Sequence, residues 1–384
     1  MNEKHKNHIY LDHNATTRLD SEAVKAMMPY LEENFGNPSS RYLLGIKAKQ
    51  GIDQARKEVS LLIGAQYNEI VFTSGGSESN NMVLKGIIDF KNLQKNHIIT
   101  SRVEHPAILN PALYLMELGV KVSFLHVDGF SRVDPDDVRK AILPETKLIT
   151  VMLANNETGT IQPIKDISKI SHEYGVRLHT DAAQAVGKIA VNVDDLGVDF
   201  MSIAGHKVYA PKGIGALFIR GGHDITPLIH GAVQEGGRRA GTENTMLAAG
   251  LGAASHVARE RLEYDLESIK NLRDYFQVLL FDGIKDLVLN GHPDERLPNT
   301  LNVSVPRLEG GRILEGLDSI MASTGAACHD RTVRLSHVLS AMAVPPEIGM
   351  GALRFSLGRD NTKEEIDEAA KLIIDKVKRM KNEK

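Results

Sequence analysis

The 384-residue chain has no tryptophan and a single cysteine, Cys328. One cysteine rules out an internal disulfide framework, and with it a cysteine-rich zinc or iron–sulfur centre built by one chain. A lone free thiol fits a reducing compartment, so the expected location is the cytoplasm. Charge of one sign is also missing. Lysine and arginine number 46 against 49 acidic residues, a net charge of −3. Nothing in that balance draws in nucleic acid or an anionic membrane. No apolar run approaches the length of a membrane span. Residues 1–8 are polar and lack the apolar stretch of a secretion signal. There are 15 histidines but no His-Glu-x-x-His or comparable ligand spacing, so no metal site is expected. What is present is ordinary for a globular enzyme: 42% hydrophobic and 25% charged residues, and length for two or so domains.

The first three-fifths of the chain alternates short β-rich runs with helical patterns. Candidate strands cover 70–74, 98–103, 121–127, 148–153, 176–181, 200–204 and 216–220. Helical spacing covers 77–90, 107–118 and 164–174. Apolar strands joined by helical crossovers predict an α/β fold with a seven-stranded, mostly parallel sheet covered on both faces. Near residue 245 the pattern changes. A long helical stretch over 246–284 is expected to bridge two domains. Beyond it come an apolar run at 297–305, a helix over 310–317 and the Cys328 loop. A helix over 332–342, a strand at 352–357 and a closing helix from Thr362 complete the chain. The expected division is a large domain at 15–255 and a smaller α+β domain made of 1–14 and 256–384.

Several strands end in polar loops, and in a parallel sheet those loops converge on one edge, where open α/β sheets bind ligands. Asp181 closes the run Leu178-His179-Thr180, and Lys207 follows Ser202-Ile203-Ala204-Gly205-His206. Each has a plain reading, a helix N-cap for Asp181 and a solvated turn for Lys207. Together, an acid and a lysine delivered to one edge are what pyridoxal phosphate chemistry needs. The lysine holds the aldehyde covalently, and the acid keeps the pyridine nitrogen protonated. Thr73-Ser74-Gly75-Gly76-Ser77 is a strand, a glycine turn and a helix start. It is either a simple capped turn or a phosphate seat at a helix N-terminus. Asn156 and Gln184 are placed to reach a cofactor's phenolic oxygen, although the Asn155-Asn156-Glu157-Thr158-Gly159 run also reads as a turn. His105, just before a proline, either stacks on a ring or sits in a plain loop. Arg354 lies on an alternating strand; facing inward it needs an anion such as a carboxylate, and facing outward it meets water. Cys328 is either a buried apolar filler or an accessible thiol in a small-residue loop, with His329 beside it to favour the thiolate. The Gly- and Arg-rich segment 234–244 reads as a phosphate loop, a subunit contact or plain surface.

Taken in order, these motifs resemble the cysteine desulfurase and selenocysteine lyase family of fold-type I enzymes that use pyridoxal 5′-phosphate. The resemblance runs from Tyr10-Leu11-Asp12-His13-Asn14 through Gly36-Asn37-Pro38-Ser39-Ser40, Thr73–Asn81, Ala154–Gly159, His179–Gln184 and Gly205-His206-Lys207 to Arg354–Arg359. It implies that Lys207 carries the cofactor and later shuttles the Cα proton. By the same resemblance Asp181 pairs with the ring nitrogen, His105 stacks on the ring and serves as a catalytic acid–base, and Gln184 and Asn156 surround the phenolic oxygen. Gly76, Ser77, Ser202 and His206 would hold the phosphate, joined by Thr242 from a second subunit of a homodimer. Arg354, with Asn37 nearby, would bind the substrate carboxylate. Cys328 would be the nucleophile that takes sulfur from L-cysteine, leaving L-alanine and a persulfide for an acceptor protein. Iron–sulfur cluster assembly, tRNA thiolation and selenophosphate are all left open as outlets.

Three departures stand out. The cysteine loop, Ser323-Thr324-Gly325-Ala326-Ala327-Cys328-His329, is closer to selenocysteine lyases, which makes L-selenocysteine the alternative substrate. Ala232 and Val233 replace glycines of the family's Gly-Gly-Gly-Gln-Glu run, which restricts that backbone. Ser77 stands where threonine is common and keeps the hydroxyl.

Overall fold

The computed structural model describes residues 8–324, 328–329, 332–333 and 335–382, with backbone alone at 328–329 and 332–333. Its centre is a seven-stranded sheet. In chain order the strands are β1 (Ile70–Thr73), β2 (His97–Ser101), β3 (Lys121–Leu125), β4 (Thr146–Thr150), β5 (Arg177–Asp181), β6 (Phe200–Ala204) and β7 (Gly215–Ile219). Across the sheet they run β1-β7-β6-β5-β4-β2-β3. Strand β7 is antiparallel to both neighbours and every other pairing is parallel. Strands β1, β2, β6 and β7 are buried along their whole length. That explains their near-continuous apolar sequences, since helices cover both faces. The expected strand at 216–220 is present, but it runs against its neighbours, so the sheet is mixed.

The covering helices are α1 (Ser21–Glu32), α2 (Leu43–Ile63), α3 (Gly76–Gly86), α4 (Pro106–Glu117), α5 (Ile164–Tyr174), α6 (Thr245–Gly283) and α7 (Lys363–Asn382). Helix α5 shows how the pattern works. Ile164, Ile167 and Ile170 face the core at helical spacing, and Gly175 ends the helix in the left-handed conformation with φ of 65°. Helices α1 and α2 carry no motif and were not read from the sequence.

A second, four-stranded antiparallel sheet is made by β8 (Val288–Leu289), β9 (Thr300–Ser304), β10 (Ser323–Thr324) and β11 (Ala352–Ser356), in the order β10-β11-β9-β8. Its core is separate from that of the large sheet. Phe276 and Phe355 meet there edge to face, with ring centroids 5.0 Å apart, a contact worth about 1 kcal/mol beyond burial. The 39-residue α6 spans about 58 Å and reaches both cores. Ala248, Leu251, Ala254 and Ala258 enter the first, Phe276 and Leu280 the second.

The N-terminal stretch is drawn between the sheets. Ile9–Tyr10 pairs in parallel with Ile320–Met321, and Asp12 bridges to Ser356. Two helix expectations need correction. The helix read over 332–342 is only His337–Ala341, because Ser336 caps it there, its Oγ accepting from Val338 N at 3.0 Å. Residues Thr332–Val333 pair instead with Cys328–His329. The helix read over 310–317 stops at Leu314.

Candidate active site

Because β1, β2, β4, β5 and β6 all run the same way, their trailing loops meet at one edge of the sheet. A cleft of about 410 Å³ opens there. Asp181 is the last residue of β5 and is almost fully buried. Its carboxylate is held from two sides: Asn80 Nδ2 donates to Oδ2 at 2.7 Å, and Ala183 N donates to Oδ1 at 2.9 Å. Charge-assisted bonds of this kind fix a carboxylate's direction.

Lys207 follows β6 on a short 3₁₀ turn, Gly205–Lys207. Its Nζ donates to the carbonyls of Asn14 at 2.5 Å and Ala15 at 2.6 Å. Burial and the Arg354 charge bring its pKa down to about 8, against the pull of Asp12 and Asp181. At pH 7 about a tenth of such amines are unprotonated, against fewer than about one in a thousand for an ordinary lysine.

His105 caps α4, its Nδ1 accepting from Ala107 N at 3.1 Å. The neutral ring therefore carries its hydrogen on Nε2. Partial burial, with Lys207 and His337 nearby, lowers its pKa despite Asp181. His206 lines the cleft with its pKa down to about 4, through burial first and then the neighbouring lysines. Gly76 and Ser77 lie at the first turn of α3. Gly75 before them has φ of 150° and no side-chain cap, so the N–H groups of that helix end face the cleft mouth uncapped. Asn156 and Gln184 line the cleft, and Asn156 Oδ1 is buried without a partner.

Arg354 comes from β11 and reaches the cleft from the second sheet. The anion it requires is already there: Asp12 Oδ1 accepts from Nη2 at 2.8 Å. Asn156 O accepts from Nη1 at 3.2 Å, and Nε is buried without a partner.

Two residues expected here, Ser202 and Asn37, are not at the cleft, and Thr242 is expected to act on a second subunit's site. Ser202 is a correction. Its hydroxyl is fully buried against His179 Nε2 at 2.9 Å, and Ala204, two residues on, lines the cleft instead. Asn37 is exposed and makes a local turn, its Oδ1 accepting from Ser39 N. Thr242 is exposed outside the cleft. The side chain of Cys328 lies outside the described residues.

The sequence profile of the aminotransferase class-V family matches residues 9–369. A cysteine desulfurase IscS of Dictyoglomus turgidum is 47% identical over 378 residues, 97% of this chain and 96% of the relative. The solved structure of a NifS-like protein superposes with a TM-score of 0.90 at 36% identity, covering 97% of this chain and 99% of that one. The chain belongs to the class-V aminotransferase family, among the cysteine desulfurases. The structure of SspA in complex with cysteine is also similar, with a TM-score of 0.81 and 35% identity over 92% of this chain and 99% of that one.

Within this family framework, sequence reasoning missed four site residues. Asn80 orients Asp181 from one helical turn past the glycine crest. Asp12 occupies Arg354. Asn14 accepts from Lys207 through its carbonyl, and Lys188 donates to Gln184 Oε1 at 2.8 Å. Only a signal of spacing was available for Asn80 and Lys188, which lie four residues beyond Gly76 and Gln184 and so on the same face if the chain is helical there.

Proposed function

We propose that this protein is a pyridoxal 5′-phosphate-dependent cysteine desulfurase, converting L-cysteine to L-alanine and leaving sulfur as a persulfide on Cys328 for an acceptor protein. The observation that carries this reading is the pairing of Lys207, its pKa about 8, with the fixed carboxylate of Asp181 on one cleft. The residues fit the cofactor. The uncapped start of α3 is donor capacity that a phosphorylated ring would use. Gly76, Ser77 and His206 would hold the phosphate, Asp181 the ring nitrogen, Asn156 and Gln184 the phenolic oxygen, and His105 a face of the ring. When bound, pyridoxal phosphate supplies an electron sink that lets a Cα–H bond ionise.

The chain's own groups do the rest. Arg354 exchanges Asp12 for the substrate carboxylate and so orients cysteine. Asp181 holds a proton at the ring nitrogen. Lys207, partly unprotonated at neutral pH, takes the Cα proton and returns it. The Cys328 thiolate attacks the substrate sulfur. The Cβ–S bond breaks as the S–S bond forms, the carbon keeps the electron pair, and a proton completes the methyl group of alanine. Atoms and electrons balance without an external reductant. Cytoplasmic location and a homodimer complete the reading. Exposed Leu31, Phe35, Tyr42 and Leu43 form an apolar stretch that a second copy would cover, and Thr242 would then reach the neighbouring site.

The test is alanine formation from cysteine and from selenocysteine by wild type and Cys328→Ala. Borohydride reduction with peptide mapping should mark Lys207. Sulfide release that needs Cys328 is expected. Label at a different lysine, or a cysteine rate negligible beside that with selenocysteine, overturns the reading.

A further inference from the structure

Lys188 lies behind the cleft, against two residues that line it, Gln184 and Asn14, and the proposed reaction does not use it. Gly187, with φ of 75°, turns the chain so that Lys188 comes back beside Gln184. A side chain at Gly187 would have its Cβ 2.5 Å from Val208 Cγ2. Lys188 Nζ donates to Gln184 Oε1 at 2.8 Å and to Asn14 Oδ1 at 3.0 Å.

The orientation of both amides is decided by their other neighbours. Gln184 Nε2 lies 3.0 Å from the Asn14 carbonyl, which can only accept. The atom turned to Lys188 must then be the oxygen. Asn14 Nδ2 lies 3.2 Å from the Asn156 carbonyl, so its oxygen too must face Lys188. The Asn14 carbonyl takes donors from both Gln184 and Lys207. Asn14 also bonds Thr300 Oγ1, Asn299 Nδ2 and Ser356 Oγ, all on the second-sheet side.

We infer that Lys188 is a positioning residue: by occupying Gln184 Oε1 it leaves the second N–H of Nε2, beyond the one given to the Asn14 carbonyl, to face the cleft, so that Gln184 meets the cofactor's phenolic oxygen as a donor. The inference rests on the cofactor assigned above. Without Lys188 the Gln184 amide is held by the Asn14 carbonyl alone, and the turned amide, whose oxygen would repel an anionic oxygen, becomes more populated. The phenolic oxygen then keeps more of its charge and holds its shared proton more tightly. Removing the nearby positive charge acts with the same sign. Burial and the charges of Lys207 and Arg354 already hold the Lys188 ammonium well below the ordinary lysine pKa, a cost the fold tolerates at this position.

The test is pyridoxal phosphate binding to purified apo-protein, following the visible band of the bound cofactor against pH. Lys188→Met should raise the midpoint of that band by about one pH unit and weaken cofactor binding about tenfold. Lys188→Arg, which keeps a donor, should stay within about twofold of wild type in affinity. In a Gln184→Met background, Lys188→Met should add nothing, because one contact cannot be lost twice. An unmoved midpoint, or effects of the two variants that add, overturns the inference. Should Lys188→Met not fold, Gln184→Glu reads the same contact from the other side. It presents no N–H and must raise the midpoint; an unchanged value overturns the inference. A wild type that shows no band at all overturns the cofactor assignment and this inference with it.

Discussion

The two walls of the cleft are built on different principles. On the large-sheet wall the polar groups are buried and tied. Asp181 has two donors, and His179 is fixed between Thr150 Oγ1 at 2.8 Å and Ser202 Oγ at 2.9 Å. Burial pushes the His179 pKa to about 3, so that ring stays neutral. Glu104, fully buried after β2, is pushed up to about 8 by burial and is a neutral acid at pH 7. The opposite wall carries Arg354 in an ion pair with Asp12 whose side chains retain 11% and 21% exposure. Close by, Ser336 Oγ donates to Glu157 Oε2 at 2.5 Å at the return of the Cys328 segment. The first wall spends its hydrogen bonds on keeping groups still. The second holds an ion pair between distant parts of the chain, in which, on the proposed reading, a substrate carboxylate would take the place of Asp12. A site that must keep a ring in place while admitting and releasing an amino acid needs one wall of each kind.

That contrast can be broken most directly at its extremes. Cys328→Ala should abolish sulfide release from cysteine while cofactor absorbance is retained; turnover equal to wild type would remove the thiol from the reaction. On the fixed wall, Asp181→Asn should lower kcat by about a hundredfold or more, the scale on which a preorganised charge acts. A change under about threefold would show that the wall's rigidity, not its charge, is what counts. On the exchangeable wall the two partners should act in opposite directions. Arg354→Lys loses the planar fork and should raise KM for cysteine about tenfold. Asp12→Asn removes the competitor and should lower KM by a few-fold. If both raise KM, the ion pair is a fixed support and the comparison fails.

The smallest expected effect is thermodynamic. Glu104 has a folded pKa above its unfolded value, so the folded state binds more protons between about pH 4.5 and 8. Stability should therefore fall as pH rises through that window, with a slope of at most one proton. Glu104→Gln should flatten that part of the urea-midpoint profile and leave the protein more stable than wild type at pH 9. An unaltered slope would mean that Glu104 is ionised in the fold.

The fixed wall was legible in the sequence because each of its principal groups ends a strand. Asp181, Lys207, His105 and the Ser74-Gly75-Gly76 turn were found by asking where apolar runs stop. Ser202 was placed at the phosphate by the family resemblance, whereas its partner in the fold, His179, lies on the adjacent strand and draws its hydroxyl away from the cleft. For Arg354 the sequence leaves two readings, an inward arginine that needs an anion and an edge-strand arginine facing water, and the side chain is paired with a carboxylate. That the anion would be Asp12, 342 residues away, depends on the pairing of Ile9–Tyr10 with Ile320–Met321, which no local pattern encodes. Lys188 carries no signal in the sequence, since its contacts depend on which way two amides face. Helices α1 and α2 went unread because their apolar positions are interleaved with charges and carry no motif.

Helix α6 sets the scale on which the walls can separate. It is seated in both cores, so the second sheet is carried on a rod rather than a tether. A tilt of one degree about its middle displaces each end by only about half an ångström. The spacing of the two walls is thus gauged by a stiff beam rather than by a hinge.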